Sequence, residues 1–262
     1  MKTKVSKPFQ TKLNEIPPSY LKDGIPLFLW EIGRALLDNP CEGIFRITGD
    51  IKEVQKMKSD IHKKIDITQN KKFASDMYCF SSIITSFLKD LPSPIFSYSD
   101  RNMFLSAISQ FKEINDLPKT VTALALAIRR IDPIKRRYLI FMLNLYYSIT
   151  QQKEINKMDF NRLSICVAPS FFSQEITYMI TTEKNIESEI QIMTLLIGLY
   201  PLICSGFEES KNVLEQKYNL TPQQLSDYMK NPSSYSIKDI KFNTSKQPSN
   251  PSVSLRRTKS MA

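Results

Sequence analysis

Residues 42–58 read EGIFRITGDIKEVQKMK, and the change of character at Gly49 decides how the chain around it is parsed. From Asp50 onward Ile51, Val54, Met57, Ile61 and Ile65 recur every three or four residues, which predicts a helix with one apolar stripe and a lysine-bearing outer face. Asp50 or Thr48 supplies its N-cap. Upstream, PLFLWEIGRALLD (26–38) has Pro26 suited to a first helical turn and Leu29, Ile32, Gly33 and Leu36 at helical spacing; this helix ends before Asn39-Pro40. Two of the chain's six glycines, Gly43 and Gly49, therefore bracket Arg46 on a loop between two helices. The glycines let the loop turn without a Cβ penalty, Ile44, Phe45 and Ile47 anchor it in the core, and Arg46 is left to project. Two readings stay open for Arg46. A guanidinium on a rigid loop suits charge on a transferring phosphoryl group, and it equally suits a local salt bridge to Glu42 or Asp50.

The same periodicity continues along most of the chain. It predicts helices in SDMYCFSSIITSFLKDL (75–91), DRNMFLSAISQFKEI (100–114), PKTVTALALAIRRI (118–131), DPIKRRYLIFMLNLYYSIT (132–150), MDFNRLSICVA (158–168) and IESEIQIMTLLIGLY (186–200). The fifth of these six segments reads as capped at Asp159, and DPIKRRY opens with an Asp132 cap and Pro133 at the first helical position. The paired prolines of NEIPPSY (14–20) read as extended, and neither strand alternation nor an internal repeat is present in the sequence. The fold class is all-α: one helical bundle domain over 20–207 behind a basic, extended segment 1–19. A short helical extension over 208–230 is capped by Thr221, and a disordered Ser/Pro/Lys-rich basic tail fills 231–262. In that tail Arg256 and Arg257 stand four and three residues ahead of Ser260, the spacing of a basophilic-kinase phosphosite as well as of a plain solvated basic end.

A chain of 262 residues with 42% hydrophobic content buries a substantial core. Its longest apolar runs, YLIFMLNLYYSI and IMTLLIGLYPLIC, span 12 and 13 residues and read as buried helices, because about 20 apolar residues are needed to cross a bilayer. The start, MKTKVSKPFQTK, has lysines but no apolar h-region, so the expectation is a cytoplasmic protein, peripheral at membranes at most. Cys41, Cys79, Cys166 and Cys204 form no C-x-x-C pair and read as reduced, mostly buried thiols. His62 is the only histidine and reads as part of a solvated face, which excludes a His-rich metal site. Phosphate-cradling glycine motifs are absent from the sequence, so no cofactor is expected. The net charge is +10, but residues 1–14 carry four lysines and no acid, and 231–262 carry six Lys/Arg against one Asp. The body is left nearly neutral, which argues against a nucleic-acid-binding core and for basic ends drawn to an anionic membrane surface or acidic partner.

EGIFRITGDIKEVQKMK, then FLKDLPSPIF (87–96), then NKMDFNRLSICVAPSFF (156–172), in that order, resemble the Rho GTPase-activating (RhoGAP) domain over about residues 20–205. The resemblance implies a helical domain that binds a Rho-family small GTPase in its GTP-bound form and inserts Arg46 as an arginine finger. GTP and Mg²⁺ are then held by the partner, and this chain is an activator rather than a self-contained enzyme. Carried over residue by residue, the GTPase-contacting positions are Lys89 and Thr85 on the helix before the leucine-proline turn, Asn161 and Arg162 beside Leu163, and Ser170. Here Thr85 stands where the family has a basic residue, Arg162 where it has asparagine, and Ser170 replaces the asparagine of its Pro-Asn-Leu segment. These departures keep a second reading open, a non-catalytic module that holds a GTPase or another signalling protein.

Overall fold

The computed structural model describes residues 8–69, 76–114, 117–172 and 182–205. The expected Thr221 helix, the basic tail with Ser260, and the lysines of residues 1–7 lie outside the described residues. Among the described residues ten α-helices follow one another: α1 (Leu27–Asp38), α2 (Ile51–His62), α3 (Met77–Lys89), α4 (Tyr98–Ile114), α5 (Leu117–Arg130), α6 (Pro133–Thr150), α7 (Lys153–Asn156), α8 (Phe160–Val167), α9 (Thr182–Gly198) and α10 (Tyr200–Ser205). The all-helical expectation holds, relieved among the described residues by a two-residue hairpin, β1 (Leu21–Lys22) against β2 (Ile25–Pro26), and one isolated bridge between Phe96 and Phe172.

Helix ends sit where the capping side chains put them. Asp50, Asp76, Asp132 and Asp159 each accept backbone N–H groups of the first turn they open, satisfying donors that have no partner inside the helix. Pro26 is the exception to the sequence reading: it closes the hairpin and stands just before α1 rather than inside its first turn. The run IMTLLIGLYPLIC is split in two because Leu199 separates α9 from α10, whose second residue is Pro201. Proline lacks the N–H that a continuous helix would need there.

At the centre lies α6, with Tyr138, Leu139, Met142, Leu143 and Tyr146 fully buried, and α1, α8 and α9 pack around it. Within α2 only part of the expected stripe is buried. Val54, Met57 and Ile61 face the core, while Ile51 and Ile65 are exposed. Residues 14–20 are not extended: Leu13–Glu15 and Pro18–Tyr20 form 3-10 turns, and Phe9, Leu13, Ile16 and Tyr20 join the core. His62 is drawn in with them, its ring edge-on to Phe9 at 5.5 Å, so it does not belong to a solvated face. Of the cysteines, Cys79 is buried and Cys41 and Cys166 are half-buried, all three free; the Cys204 side chain lies outside the described ones. Among the described residues no helix is long and apolar enough to cross a membrane.

Candidate functional site

Arg46 projects from the loop that leaves α1, and its side chain is 54% exposed. The loop is a tight turn in which the N–H groups of Arg46 and Ile47 both donate to the Gly43 carbonyl at 2.9 Å. Gly43 has φ +75°, as the sequence anticipated, but Phe45 also lies in the left-handed region at φ +65°. A non-glycine residue there is held by its surroundings. Ile44 is buried, and the Phe45 ring packs edge-on against Tyr146 at 5.3 Å. Ile47 does not anchor the loop; it is 41% exposed beside Arg46. Gly49 serves close packing rather than turning, since a Cβ there would stand 2.5 Å from the Cα of Cys79.

Backbone hydrogen bonds tie the three motifs singled out in the sequence to one another. Gly43 N–H donates to the Asn156 carbonyl at 2.8 Å, and Phe96 N–H donates to the Phe171 carbonyl at 2.8 Å. Asn156 is buried and braces this junction: its Nδ2 donates to the Ile149 carbonyl and its Oδ1 accepts from Met158 N–H. From the α3 side the Tyr78 hydroxyl donates to the Glu42 carbonyl at 2.9 Å, and Gly49 N–H donates to Ser82 Oγ at 3.0 Å.

Tyr78 and Ser82 share a helical face with Thr85 and Lys89, at offsets of four, seven and eleven residues, so α3 aligns both candidate positions with the arginine loop. Lys89 is exposed in the last turn of α3. Thr85 is half-buried and its hydroxyl donates to the Ser81 carbonyl at 3.1 Å. The neighbouring Asp90 pairs with Lys58 at 2.8 Å across to α2 and is thereby a fold-stabilising group. On α8, Arg162 is exposed, its Nη1 donating to the Lys157 carbonyl at 3.0 Å, and Asn161 is half-buried in the first turn. Ser170 differs from the expectation of a partner contact: it is 3% exposed, and its hydroxyl donates to the Val167 carbonyl at 2.6 Å, because the 3-10 turn Ala168–Ser170 folds it inward.

The electrostatics place the Arg46 charge between α3 and α8. Burial pushes the Cys166 thiol up and the Arg46 charge draws it down; Arg46 acts in the same downward sense on the Tyr78 hydroxyl, which burial raises. Cys41 is likewise pushed up by burial, partly offset by its hydrogen bond with Tyr78. These directions keep the thiols protonated, so the site contains no activated cysteine nucleophile. Arg46 meets Glu42 only at 3.9 Å, with both side chains mostly exposed, a contact of little energetic weight. Among the described residues no group of three His, Cys, Asp or Glu could hold a metal ion. What the arrangement offers chemically is a cation on a braced loop, flanked by the Thr85–Lys89 face and by α8. Sequence reasoning missed Tyr78 and Ser82 as supports of that loop, although their spacing from Thr85 carried the signal.

Residues 26–176 match the family model of the RhoGAP domain. The chain is 26% identical over 195 residues to Rho GTPase-activating protein 21-A of Xenopus laevis, covering 70% of this chain and 10% of that relative. It is 24% identical over 162 residues to Rho GTPase-activating protein gacH of Dictyostelium discoideum, covering 62% of this chain and 27% of that relative. The chain thus spans well under half the length of these curated relatives. In fold it is similar to the crystal structure of human Rho GTPase activating protein 15, with TM-score 0.65 and 20% identity over 76% of this chain and 93% of that one.

Proposed function

Because the chain belongs to the RhoGAP family, we propose that it accelerates GTP hydrolysis by a Rho-type small GTPase, with Arg46 entering the partner's nucleotide site as an arginine finger. The observation that carries this reading is the exposed Arg46 guanidinium on a loop tied to Asn156, Tyr78 and Ser82. A loop braced in this way presents its cation with little ordering left to do on docking, which is what transition-state stabilisation in trans requires. The partner supplies GTP, Mg²⁺ and the group that positions water; Arg46 neutralises charge developing on the transferring phosphoryl. Lys89 and Arg162, both exposed, serve as docking cations on either side. Thr85 and Asn161 border the same face, while Ser170 supports it from within.

A finger of this kind is worth about 10³ to 10⁵ in rate, or roughly 4 to 7 kcal/mol of barrier. Single-turnover GTP hydrolysis by a panel of Rho-type GTPases is the test, with Arg46→Ala expected to lose acceleration of that order while still binding. Equal acceleration by wild type and Arg46→Ala, or none by either, would remove the finger assignment. A second reading has its own support, since Thr85 and Ser170 direct their hydroxyls to backbone carbonyls of this chain. It is a module that holds a GTPase without catalysis, and binding with unchanged hydrolysis and no preference for a GDP–metal-fluoride complex would establish it.

A further inference from the structure

Near-neutrality of the body conceals a concentrated positive corner. The turn from α5 into α6, IRRIDPIKRRY (128–138), holds Arg129, Arg130, Lys135, Arg136 and Arg137 around one acid. That acid, Asp132, is occupied as the α6 cap, accepting the Ile134 and Lys135 N–H groups at 2.9 and 3.1 Å. Arg136 Nη1 donates to the Arg129 carbonyl at 2.6 Å, and the Arg137 guanidinium lies over Gly24, leaving no room for a Cβ in the hairpin. This contact brings in Lys22, whose Nζ lies 5.7 Å from the Trp30 ring centroid. Among the described residues none of these six cations is paired with a carboxylate.

Apolar groups emerge at the same place. Trp30 packs edge-on against Phe141 at 4.7 Å, one turn beyond Arg137 on α6, and its Nε1 donates to the Lys22 carbonyl at 3.1 Å. With its polar atom satisfied, the ring remains 38% exposed, and Leu27, one turn away on α1, is 45% exposed. Trp and Leu among Lys and Arg that meet no carboxylate among the described residues are the composition of a surface that settles at the headgroup level of an anionic bilayer. A phosphate backbone would use the cations but leave Leu27 and Trp30 unburied. We infer that the corner formed by the β1–β2 hairpin, Trp30 and the α5–α6 turn is a docking surface for anionic lipid headgroups.

The corner lies at the far end of the bundle from Arg46. Helices α1 and α6 both begin there, and at their other ends Gln152 Nε2 donates to the Leu37 carbonyl at 2.9 Å, next to the arginine loop. At 1.5 Å per residue the 18 residues of α6 span about 27 Å. A molecule resting on this corner keeps Arg46 free, and the inference holds whether or not Arg46 acts as a finger.

Trp30 is the chain's only tryptophan, so its fluorescence reports on this surface alone. With the full chain, vesicles of 30 mol% phosphatidylserine in phosphatidylcholine are expected to shift Trp30 emission to shorter wavelength. Brominated acyl chains should quench it, and pure phosphatidylcholine should do neither. The variant R129Q/R130Q/R137Q should bind the anionic vesicles on the order of a hundredfold more weakly, about fivefold per cation, with unchanged circular dichroism. The basic ends, residues 1–14 and 231–262, are present in both proteins, so the difference between them belongs to the corner. Trp30 emission unaffected by anionic vesicles, equal vesicle binding by the triple variant, or a stronger Trp30 response to duplex DNA than to the vesicles at the same salt would overturn the inference. Should the triple variant misfold, quenching of Trp30 in the wild-type chain decides the matter.

Discussion

A Cβ on Gly49 would meet the Cα and N of Cys79 at 2.5 Å, and both are backbone atoms of α3 that cannot swing aside. The Gly49 N–H is held at the same time by Ser82 Oγ. Gly49→Ala is therefore expected to destabilise by about 1–3 kcal/mol, lowering Tm by about 3–10 °C, as differential scanning calorimetry would measure. Displacing the loop from α3 should also slow GTP hydrolysis in the assay above more than it weakens binding. Gly43 was legible as a turn residue from sequence; the role of Gly49 was not, because nothing local reveals that another helix passes within van der Waals contact. Ser170 illustrates the same limit in the other direction. Its neighbours along the chain place it beside the proposed docking residue Arg162, and one 3-10 turn buries it.

Helix α6 carries an unusual burden for a core element: the Tyr138 and Tyr146 hydroxyls are buried with no hydrogen-bond partner among the described residues. Burial pushes both phenols up from their ordinary value. On α3 the Cys79 thiol is pushed up to about 12, again chiefly by burial. Each group keeps its proton in the fold and loses it more readily when unfolded, so its contribution is fully present below the unfolded pKa and is lost as pH rises beyond it. Urea midpoints should hold steady up to about pH 9 and fall above it, through the ordinary titration range of thiol and phenol. Tyr146→Phe removes a buried hydroxyl that finds no partner, so at pH 7 it is expected to be neutral or stabilising by up to about 1 kcal/mol, and to flatten the alkaline fall. A loss of 2 kcal/mol or more at pH 7 would show that the hydroxyl is satisfied in solution. The helix itself was readable from Asp132, Pro133 and the apolar run; the burial of its phenol rings depends on Phe87 of α3, which stacks on Tyr138, and on Phe45 and Phe171, which pack against Tyr146.

At the level of the molecule, the stretch before the matched RhoGAP segment belongs to the fold. Phe9 stacks on Phe28 at 5.3 Å, meets Phe87 edge-on at 5.8 Å, and lies 5.1 Å under the Lys58 ammonium. Lys58 in turn bonds Asp90 at the end of α3. One side chain upstream of residue 26 therefore joins α1, α2 and α3. Phe9→Ala should cost about 3–5 kcal/mol, read as a lower urea midpoint, and a chain beginning at residue 26 should be less stable still. Unchanged midpoints in both would mean that residues 8–20 rest on the body without supporting it.

The sequence by itself determined eight of the ten described helices, the caps at Asp132 and Asp159, the loop position of Arg46 and the order of three motifs. All of these follow from periodicity, capping residues and breakers that act within a few positions along the chain. Only the tertiary structure decided that Gly43 is fastened to Asn156, that Ile47, Ile51 and Ile65 face outward, and that Phe9 and His62 pack inward. It also gathered Lys22, Trp30 and Arg137 onto one corner. Those outcomes depend on which helix faces meet, and that is fixed by packing between residues far apart in sequence, where local propensity carries no information.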